Sequence, residues 1–250
     1  MTAKHHTTGA GILLAGLMAA TGCAGEQEAL IVLHSPLWTG PDCLVEPTND
    51  TAYAQGTLDV AFGTPYLMPV ILQNQLLSQS PMTSNNGIDN GEMQLAGADV
   101  TLRMPQAPEV LDAVAAENGA FTEFSIDLAS ISLAASERQG FLVEVISQGA
   151  SEAFAREIAG QLDEDSQPTV LADTVFRALR TGNKVGGVGE VETRTYTFPI
   201  RLCLNCLGTC SSCVDGQCPQ DDLGGFSGGI CGNAQDLPVA PPVCPNPNME

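Results

Sequence analysis

The sequence is poor in the residues from which nucleic-acid surfaces are built. It has nine basic residues against 29 acidic ones, which gives a formal net charge of −20. A chain this acidic repels phosphate backbones and anionic lipid surfaces, so nucleic-acid binding is excluded. The acidity itself is typical of a solvated protein surface, and binding of a divalent cation is the alternative interpretation.

Histidine and aromatic residues are scarce as well. His34 is the single histidine after residue 6, which excludes a multi-histidine metal site and leaves a Ser-His-Asp triad only one possible base. No serine stands in a Gly-x-Ser-x-Gly elbow, and one tryptophan with three tyrosines is too little to line a sugar groove. The glycine-rich run 224–229 lacks the Gly-Lys-Ser/Thr ending of a phosphate loop. The sequence thus predicts no catalytic residue, no metal ligand and no cofactor, and we expect no enzyme activity.

The N-terminal apolar run is too short to span a membrane. A helix over residues 9–20 would be about 18 Å long, against about 30 Å of hydrocarbon core. Lys4 precedes this run and small residues follow it, an order that is typical of a secretory signal peptide. Loss of Lys4 with the leader would change the formal net charge to −21.

The residues Ala20-Thr21-Gly22-Cys23 resemble a bacterial lipobox. The resemblance implies cleavage before Cys23 and acylation of that cysteine, and more than one acyl chain would hold the protein stably on a membrane. By similarity to the enterobacterial sorting pattern, Ala24 implies the outer membrane. The alternative is an ordinary signal peptide, cut after Ala20 or Gly22, that leaves Cys23 as a disulfide partner.

Alternating apolar residues predict a mainly β protein. With 26 glycines, 16 prolines and only 15% charged residues, the composition favours short strands and turns. Two helices are expected, over 109–117 and from Ser151 to about Leu162. We predict an antiparallel β-sandwich in which 121–147 forms a hairpin. The predicted strands are 30–33, 57–62, 66–77, 100–104, 124–128, 131–133, 141–146, 169–180 and 196–202. The pattern of 169–180 also allows a helix, and the strand is favoured there by Thr174, Val175 and Phe176.

The composition changes after Leu202, where cysteines become frequent and apolar residues rare. Such a segment cannot bury enough surface to offset its conformational entropy without cross-links. Removing Cys23 from the nine cysteines leaves an even number, and an exported protein favours oxidation, so we predict disulfides. We expect Cys43 to tie the start of the sandwich to the tail. The predicted disulfide cysteines are Cys43, Cys203, Cys206, Cys210, Cys213, Cys218, Cys231 and Cys244.

Two other interpretations of the cysteine spacing stay open. The two Cys-x-x-Cys pairs, at 203–206 and 210–213, are separated by only three residues, which is short for a zinc ribbon. The first pair follows a predicted strand, as a redox Cys-x-x-Cys does, but no helix pattern comes after it.

The predicted organisation is a signal peptide (1–22), a short tether (23–28), a β-sandwich (29–202) and a disulfide-stapled tail (203–250). The lipobox, the segment Thr195–Cys206 and the cysteine tail together are similar to uncharacterised Cys-rich lipoproteins of myxobacteria and related bacteria. The segments 67–77 and 95–102 are similar to immunoglobulin-like or fibronectin-type sandwiches.

These features predict a lipid-anchored envelope protein, facing the periplasm or the cell surface, with a structural or binding role. Its expected partners are the membrane, through the lipid on Cys23, and another envelope protein. The alternatives are an envelope hydrolase that uses His34 and a calcium-dependent adhesin. Calcium would bind at 163–165, or at 215–216 together with 221–222.

Overall fold

A computed structural model describes residues 28–36, 44–77, 91–128, 131–161, 167–180, 189–204, 206–207, 209–210, 223–224 and 235–236. Within these ranges the protein is mainly β, with two α-helices and three sheets. The strands are β1 (Leu30–His34), β2 (Gly56–Asp59), β3 (Tyr66–Asn74), β4 (Met93–Arg103), β5 (Glu123–Asp127), β6 (Ser132–Leu133), β7 (Arg138–Ile146), β8 (Thr169–Arg180), β9 (Glu190–Glu192), β10 (Tyr196–Cys203), β11 (Thr209–Cys210) and β12 (Leu223–Gly224).

The largest sheet has the strand order β2-β10-β8-β4-β5, with β6 beside β4 and β9 beside β8. Its pairs are antiparallel except that β2 runs parallel to β10. A register shift between Leu95 and Gly97 moves the burial pattern of β4 by one residue. Because side chains alternate along a strand, Leu95 before the bulge and Ala98 after it both face the core.

The second sheet has the order β1-β3-β7 and is antiparallel throughout. It contacts the large sheet through aromatic pairs. The ring centroids of Phe141 and Phe176 lie 6.0 Å apart, and those of Tyr66 and Phe198 lie 6.3 Å apart. One buried cluster therefore draws its side chains from both sheets. A face-to-face sandwich of immunoglobulin type stays a prediction.

The two helices add their apolar sides to this cluster. Helix α1 (Pro108–Glu117) buries Val110 and Val114, and helix α2 (Gln148–Gln161) buries Phe154 and Ile158. Both were expected from their spacing, although α2 begins three residues before Ser151. Among the described residues, no helix is long and apolar enough to cross a membrane.

Two local predictions were wrong. The segment 121–147 is not a hairpin, because β5 pairs with β4 in the large sheet while β7 pairs with β3 in the other. The strand predicted over 57–62 ends at Asp59, whose carboxylate accepts a hydrogen bond from the Ala61 amide and caps a 3-10 turn. Gly63, at φ 57°, ends that turn in the left-handed conformation that glycine adopts without strain.

Candidate functional site

The outer face of the large sheet carries a network of paired charges. After the bulge in β4, the even-numbered residues of β4, β5, β8 and β10 are the more buried ones and the odd-numbered ones face outward, except that Cys203 at the end of β10 is also buried. The outward residues that pair across neighbouring strands form a group that we call the polar ladder. These are Asp99, Arg103, Ser125, Asp173, Arg177 and Thr197, with Glu190 on β9.

One half of the polar ladder centres on Asp99. Its carboxylate accepts from the Ser125 hydroxyl at 2.6 Å and lies 3.0 Å from Nε of Arg177. The other side of that guanidinium approaches the Glu190 carboxylate at 3.8 Å. Arg177 thus bridges acids on β4 and β9.

The other half centres on Asp173. Its carboxylate receives two hydrogen bonds from the Arg103 guanidinium, one of them at 3.0 Å, and a third from the Thr197 hydroxyl at 2.5 Å. The hydrogen bond from Arg103 is the main reason that the pKa of Asp173 is lowered from its ordinary value. This carboxylate therefore stays ionised in neutral solution.

A groove of about 480 Å³ lies beside the polar ladder, over the paired strands β4 and β5. Its lining includes Asp99, Thr101, Glu123 and Ser125, with Gly119 at one side. The groove is thus acidic and rich in hydrogen-bonding groups.

Two described residues of the cysteine tail, Gln235 and Asp236, contact the body of the protein, and we call this pair the tail latch. The Gln235 amide exchanges two hydrogen bonds with the backbone of Leu67, at 2.7 and 2.8 Å. Asp236 exchanges two with the backbone of Thr57, at 2.7 and 2.9 Å. The bonds of Asp236 pair residues 235–236 with the free edge of β2 and protect that edge from other strands, while the bonds of Gln235 join the same two residues to β3.

The Asp236 carboxylate also accepts a hydrogen bond of 2.6 Å from the hydroxyl of Tyr66. Burial raises the pKa of Asp236 to about 6, although the hydrogen bonds it accepts act in the opposite direction. Burial, reinforced by the Asp236 charge, raises the pKa of Tyr66 well above its ordinary value. The latch is therefore a buried polar contact with one titratable group.

All three tyrosines of the chain surround Phe198. The ring centroids of Tyr53, Tyr66 and Tyr196 lie 6.3 to 6.5 Å from that of Phe198. Burial raises the pKa of Tyr53 to about 12, and the hydroxyl of Tyr196 accepts from the backbone amide of Ser35 at 2.9 Å. These rings serve packing, and they join β1, β3 and β10.

Only part of the predicted cysteine set lies in the described residues. Cys203 and Cys206 are joined as a disulfide, with their Cα atoms 5.8 Å apart. Cys210 lies in β11, but its side chain is outside the described part of the chain. The lipidation residue Cys23 and the remaining predicted disulfide cysteines also fall outside it, namely Cys43, Cys213, Cys218, Cys231 and Cys244.

The residues of the alternative predictions can be placed in part. His34 lies at the end of β1, where its Nε2 is 2.8 Å from the carbonyl oxygen of Asn49. Through this contact the His34 ring holds the loop that contains Asn49. The acidic clusters 163–165, 215–216 and 221–222 lie outside the described residues.

The comparisons with known proteins give no relative from which a role could be transferred: no family model, no curated protein and no solved structure matches the chain.

Proposed function

We propose that the mature protein is a lipid-anchored component of the cell envelope that binds another envelope protein through the outer face of its large sheet and has no catalytic activity. The observation that carries the proposal is the polar ladder. It supports a binding role because its charged side chains are already held in place by their neighbours. Groups fixed before binding lose little side-chain entropy when a partner arrives.

The chemistry of the groove suggests the kind of partner. Asp99 and Glu123 line it, and the whole chain is strongly acidic. Complementary charge steers association and suppresses wrong partners. A partner that presents lysine or arginine side chains fits this surface best.

The N-terminal end of the body supports a position close to the membrane. Glu28, the first described residue, forms an ion pair with Arg194, which leads into β10. Only four residues lie between Cys23 and Glu28, and the five Cα–Cα steps that join these two residues span at most about 18 Å when fully extended. An acyl anchor on Cys23 would therefore keep the body near the lipid surface.

The anchor is tested by the intact mass of the protein purified from bacterial membranes. We expect a mass that corresponds to cleavage before Cys23 plus acyl chains, and we expect Cys23→Ala to abolish acylation and membrane retention. A wild-type mass without acyl chains, or cleavage at another residue, would contradict the anchor.

The binding role is tested by chemical cross-linking in intact cells. Glu123→Lys and Thr101→Lys reverse or add charge in the groove without removing a member of the polar ladder. Glu144→Lys makes the same change on β7 of the other sheet, where the side chain is exposed, and serves as the matched control. We expect the two groove variants, but not the control, to lose a cross-linked adduct. Equal adduct yields in all three variants would refute this surface as the binding site.

A further inference from the structure

The parallel pairing of β2 with β10 brings a carboxylate next to the Cys-x-x-Cys pair. Asp59 and Cys203 lie opposite each other in this strand pair, each at the last position of its strand. Asp59 is fully buried and Cys203 is 1% exposed, while Cys206 is partly exposed. The three side chains therefore form a compact group at one end of the large sheet, which we call the Asp-Cys-Cys group.

The carboxylate of Asp59 is held in a fixed orientation. One oxygen accepts from the Ala61 amide at 3.2 Å, and the other accepts from the Leu207 amide at 2.9 Å. The second bond folds the turn that contains Cys206 over Asp59.

The ligand atoms of the Asp-Cys-Cys group lie within 4.8 Å of one another. In a tetrahedral zinc site the Zn–S distance is about 2.3 Å, which places two sulfur atoms about 3.8 Å apart. The Cα separation of 5.8 Å between Cys203 and Cys206 leaves room for this spacing once the sulfur atoms are no longer bonded. Two thiolates and one carboxylate are ligands that suit a soft to borderline divalent cation.

We propose that reduction of the Cys203–Cys206 disulfide converts the Asp-Cys-Cys group into a binding site for one zinc ion. A dithiol reductant transfers two electrons and two protons, so that it becomes a disulfide and the protein gains two thiols. Zinc then displaces both thiol protons and is bound by two sulfur atoms and one Asp59 oxygen, with water in the fourth position. The oxidised protein does not bind zinc at this place.

Zinc binding by the full-length protein tests the inference. The chain is reduced with a phosphine under anaerobic conditions, and zinc is titrated against a chromophoric chelator. We expect the reduced wild type to bind one zinc ion more than the Cys203→Ser/Cys206→Ser variant, which accounts for the other tail cysteines. Asp59→Asn should weaken that ion at least about tenfold, and Asp173→Asn, a surface control, should leave its affinity unchanged.

Three results would overturn the proposal. One is equal zinc stoichiometry in the reduced wild type and the double serine variant. Another is an unchanged zinc affinity in a folded Asp59→Asn variant, which would show that Asp59 holds the turn and does not bind the ion. The last is measured on the reduced wild type and needs no substitution. Zinc should slow the alkylation of Cys206 at least about tenfold, and fragment-ion mass spectrometry locates the alkylated cysteine. No slowing would refute the site even if Asp59→Asn fails to fold.

Discussion

The hydroxyl of Tyr66 donates a hydrogen bond of 2.6 Å to the carboxylate of Asp236, across a sequence separation of 170 residues. Tyr66 begins β3 of the smaller sheet, whereas Asp236 belongs to the tail and is bonded to β2 of the larger sheet. This contact joins the cysteine tail to both sheets. It also places the one titratable group of the tail latch inside the protein, so we expect the attachment of this latch to depend on pH.

The first prediction concerns that pH dependence. Because burial raises the pKa of Asp236 from 3.8 to about 6, the folded state binds the proton more tightly than the unfolded state. The resulting stability is fully present below pH 3.8 and is lost as the pH rises through about 6. The complete difference corresponds to about 3 kcal/mol, of which about 1 kcal/mol falls between pH 5 and pH 7.5.

The variant Asp236→Asn isolates this contribution, because asparagine is neutral and tolerates the backbone of residue 236, which has φ 54°. Urea unfolding of variant and wild type is compared at pH 5 and pH 7.5. The stability of the variant relative to wild type should fall by about 1 kcal/mol at the lower pH. The same difference at both pH values would contradict the prediction, since all other carboxyl groups are common to the two proteins.

The second prediction concerns the space above Gly56. A Cβ atom at this position would lie 2.0 Å from the hydroxyl oxygen of Tyr66 and 2.5 Å from its ring. The ring is fully buried and its hydroxyl is bonded to Asp236, so it cannot move aside without breaking the latch. Gly56→Ala should therefore lower the free energy of unfolding by about 1–3 kcal/mol, measured with urea.

Gly160→Ala is the matched control. Gly160 lies in α2, and nothing would be within 4 Å of its added Cβ. Alanine is the better helix former by up to about 1 kcal/mol, so this substitution should stabilise the protein. If both alanine variants were as stable as wild type or more so, the close approach of Gly56 and Tyr66 would be refuted.

The spacing of apolar residues in the sequence was sufficient to predict most elements that bury one side. Strand β10 was predicted because its apolar residues alternate, and α1 and α2 because theirs recur at helical spacing. Strand β8 was predicted from the strand preference of Thr174, Val175 and Phe176. The pattern carries no information about which strands pair. Nothing in the alternation of Leu58 or Phe198 indicates that β2 runs parallel beside β10, and so the nearness of Asp59 to Cys203 could not be foreseen.

The tail latch escaped prediction for another reason. Gln235 and Asp236 form hydrogen bonds with the backbone of Leu67 in β3 and of Thr57 in β2, and a contact of two residues has no periodicity. They stand in a segment whose composition predicts only cross-linked loop. The polar ladder was missed likewise, because the pairs Arg103–Asp173 and Asp99–Arg177 are more than 60 residues apart and depend on strand register.

The third prediction concerns the Cys203–Cys206 disulfide. The bridge closes a very short loop, so the chain-entropy model gives it only about 2 kcal/mol. Replacing both cysteines by serine should lower the free energy of unfolding by about that amount and leave a folded protein. Without reduction, neither cysteine of the native protein should react with an alkylating reagent. Alkylation of Cys206 in the native, unreduced protein would contradict the bridge.

The fourth prediction concerns Asn74, a buried residue that joins three segments. Its side-chain amide donates to the carbonyl oxygens of Gly91, Leu133 and Ala134, at 2.6 to 3.2 Å. Its own carbonyl oxygen accepts from the Leu76 amide at 2.9 Å. Asn74→Asp would turn a carboxylate oxygen toward carbonyl oxygens in the protein interior. An uncompensated buried charge costs about 3–5 kcal/mol, so we expect a loss of that order at pH 7.

The loss should diminish as the pH falls, because a protonated aspartic acid regains one donor for the three carbonyl groups. Asn118→Asp provides the control, since the exposed Asn118 side chain only accepts a hydrogen bond, from the Ala120 amide at 3.1 Å. Aspartate accepts that bond equally well, and its charge, favourable for the 3-10 turn that follows but unfavourable at the C-terminus of α1, is exposed to solvent, so the stability of this variant should change by less than about 0.5 kcal/mol. Comparable losses in both variants, or a loss at position 74 that does not depend on pH, would show that Asn74 is not the donor that holds β4, β6 and the end of β3 together.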